Sequence, residues 1–326
     1  MQDPDSAKFL ERVYSNGWKT LKVGKVRYGI MLRDDGIVLN DGTTARLAED
    51  EFFMTTTSAN AATVMANLEF LLQACWCDLK VRVTSVTDQW TGMALAGPAS
   101  RGELQDAIPD LEIGADALPH MGFIHAEIGD APVRIHRMSF SGELAIEIFT
   151  PAGSGQHVWD CVMSCGETRG ITPYGTEAMA ALRIEKGHVA GPELDGRSIL
   201  SDLGLGALAS KKEHFIGNVL KDRPPLTAPE RPALVGLETV RPQDRIRSGS
   251  ILFAAGTNVS GHSDGHVNST TYSVHLQKNV ALGLLSNGTR RHGETIVCAN
   301  PIENQQIEVK IVAPCFYYPD GERLHT

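Results

Sequence analysis

An aspartate within a β-strand and a glutamate on the apolar side of a helix are the residues here from which acid–base chemistry could be built. The stretch Tyr28 to Leu47 (Y-G-I-M-L-R-D-D-G-I-V-L-N-D-G-T-T-A-R-L) reads as strand, turn, strand, and Asp41 lies on its second strand among small and apolar residues. Tyr28 precedes it on the first strand. The plain alternative for Asp41 is a turn acid that caps nearby backbone amides. In the helix predicted over Thr176 to Lys186, Ala178, Ala181, Leu182 and Glu185 fall at i, i+3, i+4 and i+7, which puts Glu185 on the apolar face near the C-terminal end. A carboxylate there must be paired or must receive hydrogen bonds from a ligand. Pairing with a nearby Arg or Lys is the competing reading, Arg183 excepted because residues two apart do not face each other.

Other chemistries find little support. There is no P-loop, no G-x-S-x-G, and Gly204-Leu205-Gly206 does not open a strand–turn–helix dinucleotide site. His262 and His266 lie in a glycine-rich turn without a third partner, and the cysteines (Cys75 and Cys77, Cys161 and Cys165 among them) lack paired C-x-x-C spacing, so no metal is expected. Arg290-Arg291-His292 reads as a solvated basic turn.

The elements that must position the acids read as follows. Short helices are predicted over Ser6 to Tyr14, Asn60 to Leu72, Ser100 to Ala107, Gly155 to Cys165 and Thr176 to Lys186. Strands are predicted over Phe52 to Thr57, Val81 to Val86, Thr91 to Ala96, Val133 to Arg137 and Leu144 to Phe149, with Ser141-Gly142 as a turn. Lys221 to Pro232 contains four prolines in twelve residues and marks a domain boundary. Six short β-prone runs follow: 234–237, 250–253, 267–274, 281–285, 294–298 and 307–312. They predict a small antiparallel β-barrel over 232–326. The class is α+β, with a first domain over 1–220.

Composition narrows the function classes. The 326 residues are 42% hydrophobic and 21% charged, as in an ordinary globular protein, and the formal net charge of -9 argues against nucleic acid or another polyanion as partner. No apolar run approaches a membrane span and no signal peptide is visible, so a cytoplasmic protein with reduced thiols is expected.

Along nearly the whole chain the motifs resemble the glycine-cleavage aminomethyltransferase family. They include Y-G-I-M-L, D-G-I-V-L-N-D, L-A-G-P-A-S, F-S-G-E-L-A-I-E-I, Y-G-T-E-A-M-A-A-L-R-I-E-K-G, F-I-G and A-P-C-F-Y-Y-P-D-G. S-V-T-D-Q-W, E-K-G-H-V-A-G-P-E-L-D-G and D-L-G-L-G-A-L-A-S-K-K further resemble the folate-binding region of heterotetrameric sarcosine oxidase alpha subunits. The resemblance implies ferredoxin-like subdomains followed by a C-terminal barrel, with the first domain shortened at its N-terminus. It implies tetrahydrofolate as cofactor, held in a central channel between subdomains, with any flavin or NAD on other segments or subunits. Asp41 would assist one-carbon transfer. Tyr28 and Glu185 would hold the pterin, Thr57 stands where the family carries an asparagine, and Lys211 or Lys212 would meet the folate tail. The expected reaction traps the carbon released by flavin-dependent amine oxidation as 5,10-methylenetetrahydrofolate. The expected partners are flavin-carrying subunits of the sarcosine oxidase type. A free-standing aminomethyltransferase with a lipoylated carrier, or a non-catalytic folate-binding regulatory module, are the alternatives. The module is disfavoured because the cysteine of the K-G-C-Y-x-G-Q motif in folate proteins of iron–sulfur assembly is absent from Lys186 to Pro192.

Overall fold

A computed structural model describes residues 1–325 except 210 and 258. The chain divides into two compact units: Met1–Ile30 with Asn40–Tyr174 and Asp320–Thr326, and Met31–Leu39 with Gly175–Pro319. The family of mixed helix and sheet with a closed six-stranded barrel matches the α+β expectation.

The first unit opens with helix α1 (Ser6–Val13), whose Phe9, Leu10 and Val13 are buried on one face as the heptad spacing requires. Three antiparallel strands follow, β1 (Val26–Leu32), β2 (Val38–Ala48) and β3 (Glu51–Met54), and form one sheet. The tip of the β1–β2 hairpin belongs to the second unit, where the Val38 amide donates to the Ser198 carbonyl. Helix α2 (Ala61–Phe70) runs on into a wide turn over Leu71–Cys75. Strand β4 (Trp90–Ala96), helix α3 (Ser100–Ala107), strands β5 (Phe123–Ile128), β6 (Ala131–His136) and β7 (Ala145–Pro151), and helix α4 (Gly155–Gly166) complete the unit.

The second sheet runs β4-β7-β6-β5, every pair antiparallel. Its two faces differ because strand side chains alternate. One face presents Leu95, Val133, Ile135, Ile146 and Ile148 to Leu104 of α3 and Val158 of α4 and forms the core of the unit. Burying each such side chain contributes about 1.5–3 kcal/mol. The opposite face carries Trp90, Arg134, His136, Glu147 and Phe149, in register as Arg134 opposite Phe149 and His136 opposite Glu147. Phe53 of β3 packs onto this second face, its ring centre 5.3 Å from Phe149 and 5.7 Å from Trp90.

The second unit contains helix α5 (Thr176–Lys186), the four-residue helix α6 (Pro224–Thr227) inside the proline-rich stretch, and strands β8 (Pro232–Thr239), β9 (Ile251–Phe253), β10 (Gly265–Ser273), β11 (Lys278–Ser286), β12 (Thr295–Asn300) and β13 (Gln305–Val312). The strands close into a barrel in the order β10-β11-β8-β13-β12-β9. Inward positions such as Val235, Leu237, Leu252, Val309 and Ile311 fill it. All six β-prone runs of the C-terminal region are strands of this barrel.

One strand expectation in the first unit needs correction, and one strand there was not expected. The run at 81–86 is irregular apart from a single bridge between Arg82 and Gln2, and Phe123–Ile128, unmarked in the sequence reading, is β5. Val81 to Val86 alternates correctly, but it pairs with a single residue of the N-terminal segment and so has no partner strand to complete a ladder. No helix of the described residues is long and apolar enough to cross a membrane.

Candidate active site

The site is built where the three-stranded sheet and the open face of the four-stranded sheet meet. On β2, Thr44 faces Tyr14 of the segment after α1, whereas Ala45 packs with Phe123 of β5. Alternation therefore turns Asp41, Thr43 and Ala45 toward the four-stranded sheet, and on β1 Tyr28 shares that side with Val26. On β7, Glu147 lies two residues before Phe149, on the side of that strand against which Phe53 of β3 packs.

Asp41 is fixed by two hydroxyls. The Tyr28 hydroxyl donates to Asp41 Oδ2 at 2.8 Å and the Thr57 hydroxyl donates to Oδ1 at 3.2 Å. Burial pushes the carboxyl above its ordinary range, and the hydrogen bonds from the two hydroxyls and from its own backbone amide pull it partly back. The same burial and the adjacent carboxylate push the Tyr28 phenol far up, so it stays a proton donor. Asn40 is buried; its side chain donates to the Asp41 carbonyl at 2.5 Å and accepts from Asn60 at 3.1 Å, which locks the strand at this point. Gly42 is required beside it, since a Cβ there would collide with the Thr55 carbonyl. The sequence brings Tyr28, Asp41 and Thr57 into one hydrogen-bonded group from three separate segments.

Glu185, also marked as a candidate, lies in the second unit. Its carboxylate accepts from the Ser273 hydroxyl at 2.7 Å and meets His275 Nδ1 at 2.9 Å. Its backbone carbonyl accepts from the amides of Phe316 and Tyr317, and Tyr317 stacks on His275 with centres 4.1 Å apart. The partners found for this carboxylate are thus Ser and His in place of Arg or Lys. Gly187 ends the helix in the left-handed region at φ 78°, where a Cβ would meet the Pro314 carbonyl, so this glutamate anchors the 314–318 segment. Lys211 is exposed in a loop of the same unit, and the Lys212 ammonium lies 5.6 Å from the Phe215 ring centre.

The sequence reading passed over Glu147. Burial alone pushes its carboxyl up to about 7, and it has no hydrogen-bond partner among the described residues. Its charge reaches Tyr174, helping burial to raise that phenol. Its cross-strand neighbour His136 is only 1% exposed, and neither ring nitrogen has a hydrogen-bond partner among the described residues. A signal was available: in A-I-E-I-F the acid occupies the face that Ala145 and Phe149 make apolar, opposite the face of Ile146 and Ile148. Desolvated acceptors without partners are costly in a folded chain and mark a place where a ligand supplies the donors. A carboxylate accepts the paired N–H groups of an aminopyrimidine ring side by side, so these residues fit a reduced pterin.

Comparison with known proteins agrees with this architecture. The GCVT N-terminal domain model matches residues 1–213 and the glycine cleavage T-protein C-terminal barrel domain model matches 233–317. The chain belongs to the glycine cleavage T-protein family, a family of enzymes. It is 44% identical to the sarcosine oxidase subunit alpha of Rhizobium meliloti over 326 residues, covering 99% of this chain and 33% of that protein. It is 28% identical to the aminomethyltransferase of Bacillus subtilis, covering 96% of this chain and 83% of that one. Its fold is that of the glycine cleavage system aminomethyltransferase T from Bartonella henselae, at a TM-score of 0.82 over 97% of this chain and 82% of that one. The chain thus spans about a third of the length of its sarcosine oxidase relative.

Proposed function

We propose that this chain is the folate-binding, one-carbon-transferring part of a sarcosine-oxidase-type alpha subunit, and that its product is 5,10-methylenetetrahydrofolate. Family membership and the sarcosine oxidase relative support the reaction class. The observation that carries the proposal for this chain is Asp41, a desolvated carboxylate held from both sides by Tyr28 and Thr57. Bound tetrahydrofolate supplies the nucleophilic amines that take up an oxidised one-carbon unit. Asp41 orients the reacting amine, stabilises adjacent positive charge and accepts the proton that the amine sheds; Tyr28 keeps its carboxylate in place. Glu147 accepts the N–H groups of the pterin. Flavin-dependent oxidation of the amine is assigned to partner subunits or to other parts of the polypeptide.

The 83% coverage of the Bacillus subtilis aminomethyltransferase supports a second reading, a transferase that receives its carbon from a lipoylated carrier. Asp41→Asn in the assembled oxidase separates the readings. Formation of methylenetetrahydrofolate is expected to fall by about 10²–10⁴-fold, while sarcosine consumption and hydrogen peroxide output stay near wild type and free formaldehyde rises. Unchanged folate product would remove Asp41 from the mechanism. Carbon transfer only from a lipoylated carrier would establish the second reading.

A further inference from the structure

His136 is the least explained buried group in the first unit. It lies at the end of β6, opposite Glu147 in the β6–β7 register, and both side chains point to the same face of the sheet. Phe53, Phe123 and Phe149 wall its ring, with centres 6.1, 5.2 and 4.9 Å away. Neither nitrogen finds a hydrogen bond among the described residues, although the ring is only 1% exposed. A phenylalanine would fill this aromatic box without the penalty of desolvating two polar nitrogens. The imidazole therefore has a use that its aromatic walls do not supply. The one acceptor placed beside it by the strand register is the carboxyl of Glu147.

We infer that His136 and Glu147 act together as a proton-coupled latch for the folate ring: binding expels a proton from the Glu147 carboxyl, and His136 donates a ring N–H to the carboxylate so formed. This rests on the folate reading above and deepens it. In the folded chain Glu147 keeps its proton until about pH 7, and His136, pushed down to about 3 by burial with help from Arg134 and His125, is neutral. A neutral imidazole has one N–H to give. The ring N–H groups of the ligand need an ionised acceptor, so the acid proton has to leave as the ligand enters. It goes to solvent, because His136 holds no charge in that setting. The other groups around Glu147 do not substitute for His136. Ala94 on β4 is apolar, Tyr174 is a phenol shifted upward, and Arg134 is stacked between Trp90 and Phe53 at 3.9 and 4.9 Å. Tyr28 on the facing sheet already donates to Asp41.

The test is calorimetric titration of the protein with 5-formyltetrahydrofolate, whose acylated N5 does not titrate in the range used. Two buffers of different ionisation enthalpy at each of pH 6 and pH 8 count the protons released. About one proton is expected at pH 6 and close to none at pH 8, with affinity about tenfold weaker at pH 6. Glu147→Gln should abolish both the release and the pH dependence. His136→Phe should keep the release and weaken binding at pH 8 by about tenfold, the loss of one hydrogen bond to a charged group. Nitrogen-15 spectra of labelled histidine should show one His136 ring nitrogen shifting on binding in the wild type and not in Glu147→Gln, a change that a purely structural histidine would not give. Binding without proton release at pH 6, or a His136 ring signal indifferent to the ligand, overturns the latch and leaves folate binding intact. Absence of binding by the folded protein overturns the folate reading and the latch with it.

Discussion

Asp41 is held by a tyrosine hydroxyl at 2.8 Å and a threonine hydroxyl at 3.2 Å, partners from distant segments that go beyond the local backbone amides a turn acid caps. Tyr28→Phe removes a hydrogen bond to a charged group, worth about 1.5–3 kcal/mol. The Asp41 carboxyl should then rise further, because burial is the larger influence and the Tyr28 bond opposes it. The acidic limb of the pH profile for folate-dependent transfer should move to higher pH, and a profile unchanged from wild type would show that the hydroxyl is idle. Glu147 makes a second prediction with a definite sign. The folded protein holds this proton up to about pH 7, whereas the unfolded chain loses it in the ordinary carboxylate range, so stability falls as pH rises through that window. Glu147→Gln should raise the melting temperature at pH 8 and leave it little changed at pH 4.

At the level of elements, the β1–β2 hairpin places Tyr28 and Asp41 on one side by alternation, and the closeness of β2 to the Thr55 carbonyl leaves room there for glycine alone. Gly42→Ala should cost about 1–3 kcal/mol through overpacking and weaken folate binding as the strand shifts, measured by chemical denaturation alongside a folate titration. Helix α5 behaves differently. Ser273→Ala or His275→Ala leaves the buried Glu185 carboxylate short of a partner and should destabilise by about 1–3 kcal/mol, with folate affinity unchanged. The opening hairpin, most helices and all six barrel strands were legible because their periods of 2 and 3.6 are strong. Asp41 stood out as an acid on a predicted strand, but from the residues alone it read as readily as a turn acid, and it was the family resemblance that pointed to chemistry. Glu185 was correctly placed on the buried face of its helix, but periodicity cannot say whether a buried carboxylate meets a ligand or a serine and a histidine 88 and 90 residues further on. Glu147 was hidden in plain alternation: the sequence shows that it shares a face with Ala145 and Phe149, but not that the face is covered by Phe53 of another sheet. The strand at Phe123 was missed because F-I-H-A-E-I carries no clean apolar–polar alternation.

For the whole molecule, the two matched family domains account for residues 1–213 and 233–317, while compactness groups 175–220 with the barrel. The chain covers 33% of its sarcosine oxidase relative, and the proposed role for these residues is the handling of folate. Residues 1–326 by themselves should therefore bind reduced folate, as a titration of the folded chain checks. The most direct test of the central claim, that the pterin is held by the first unit through Asp41 and Glu147, is the equilibrium affinity for reduced folate of the wild type, Glu147→Gln and Glu185→Gln at pH 8. Glu147→Gln should lose at least about tenfold in affinity, the equivalent of one charge-assisted hydrogen bond, while Glu185→Gln should stay close to wild type. The reverse order, with Glu185→Gln losing affinity and Glu147→Gln retaining it, would contradict that claim.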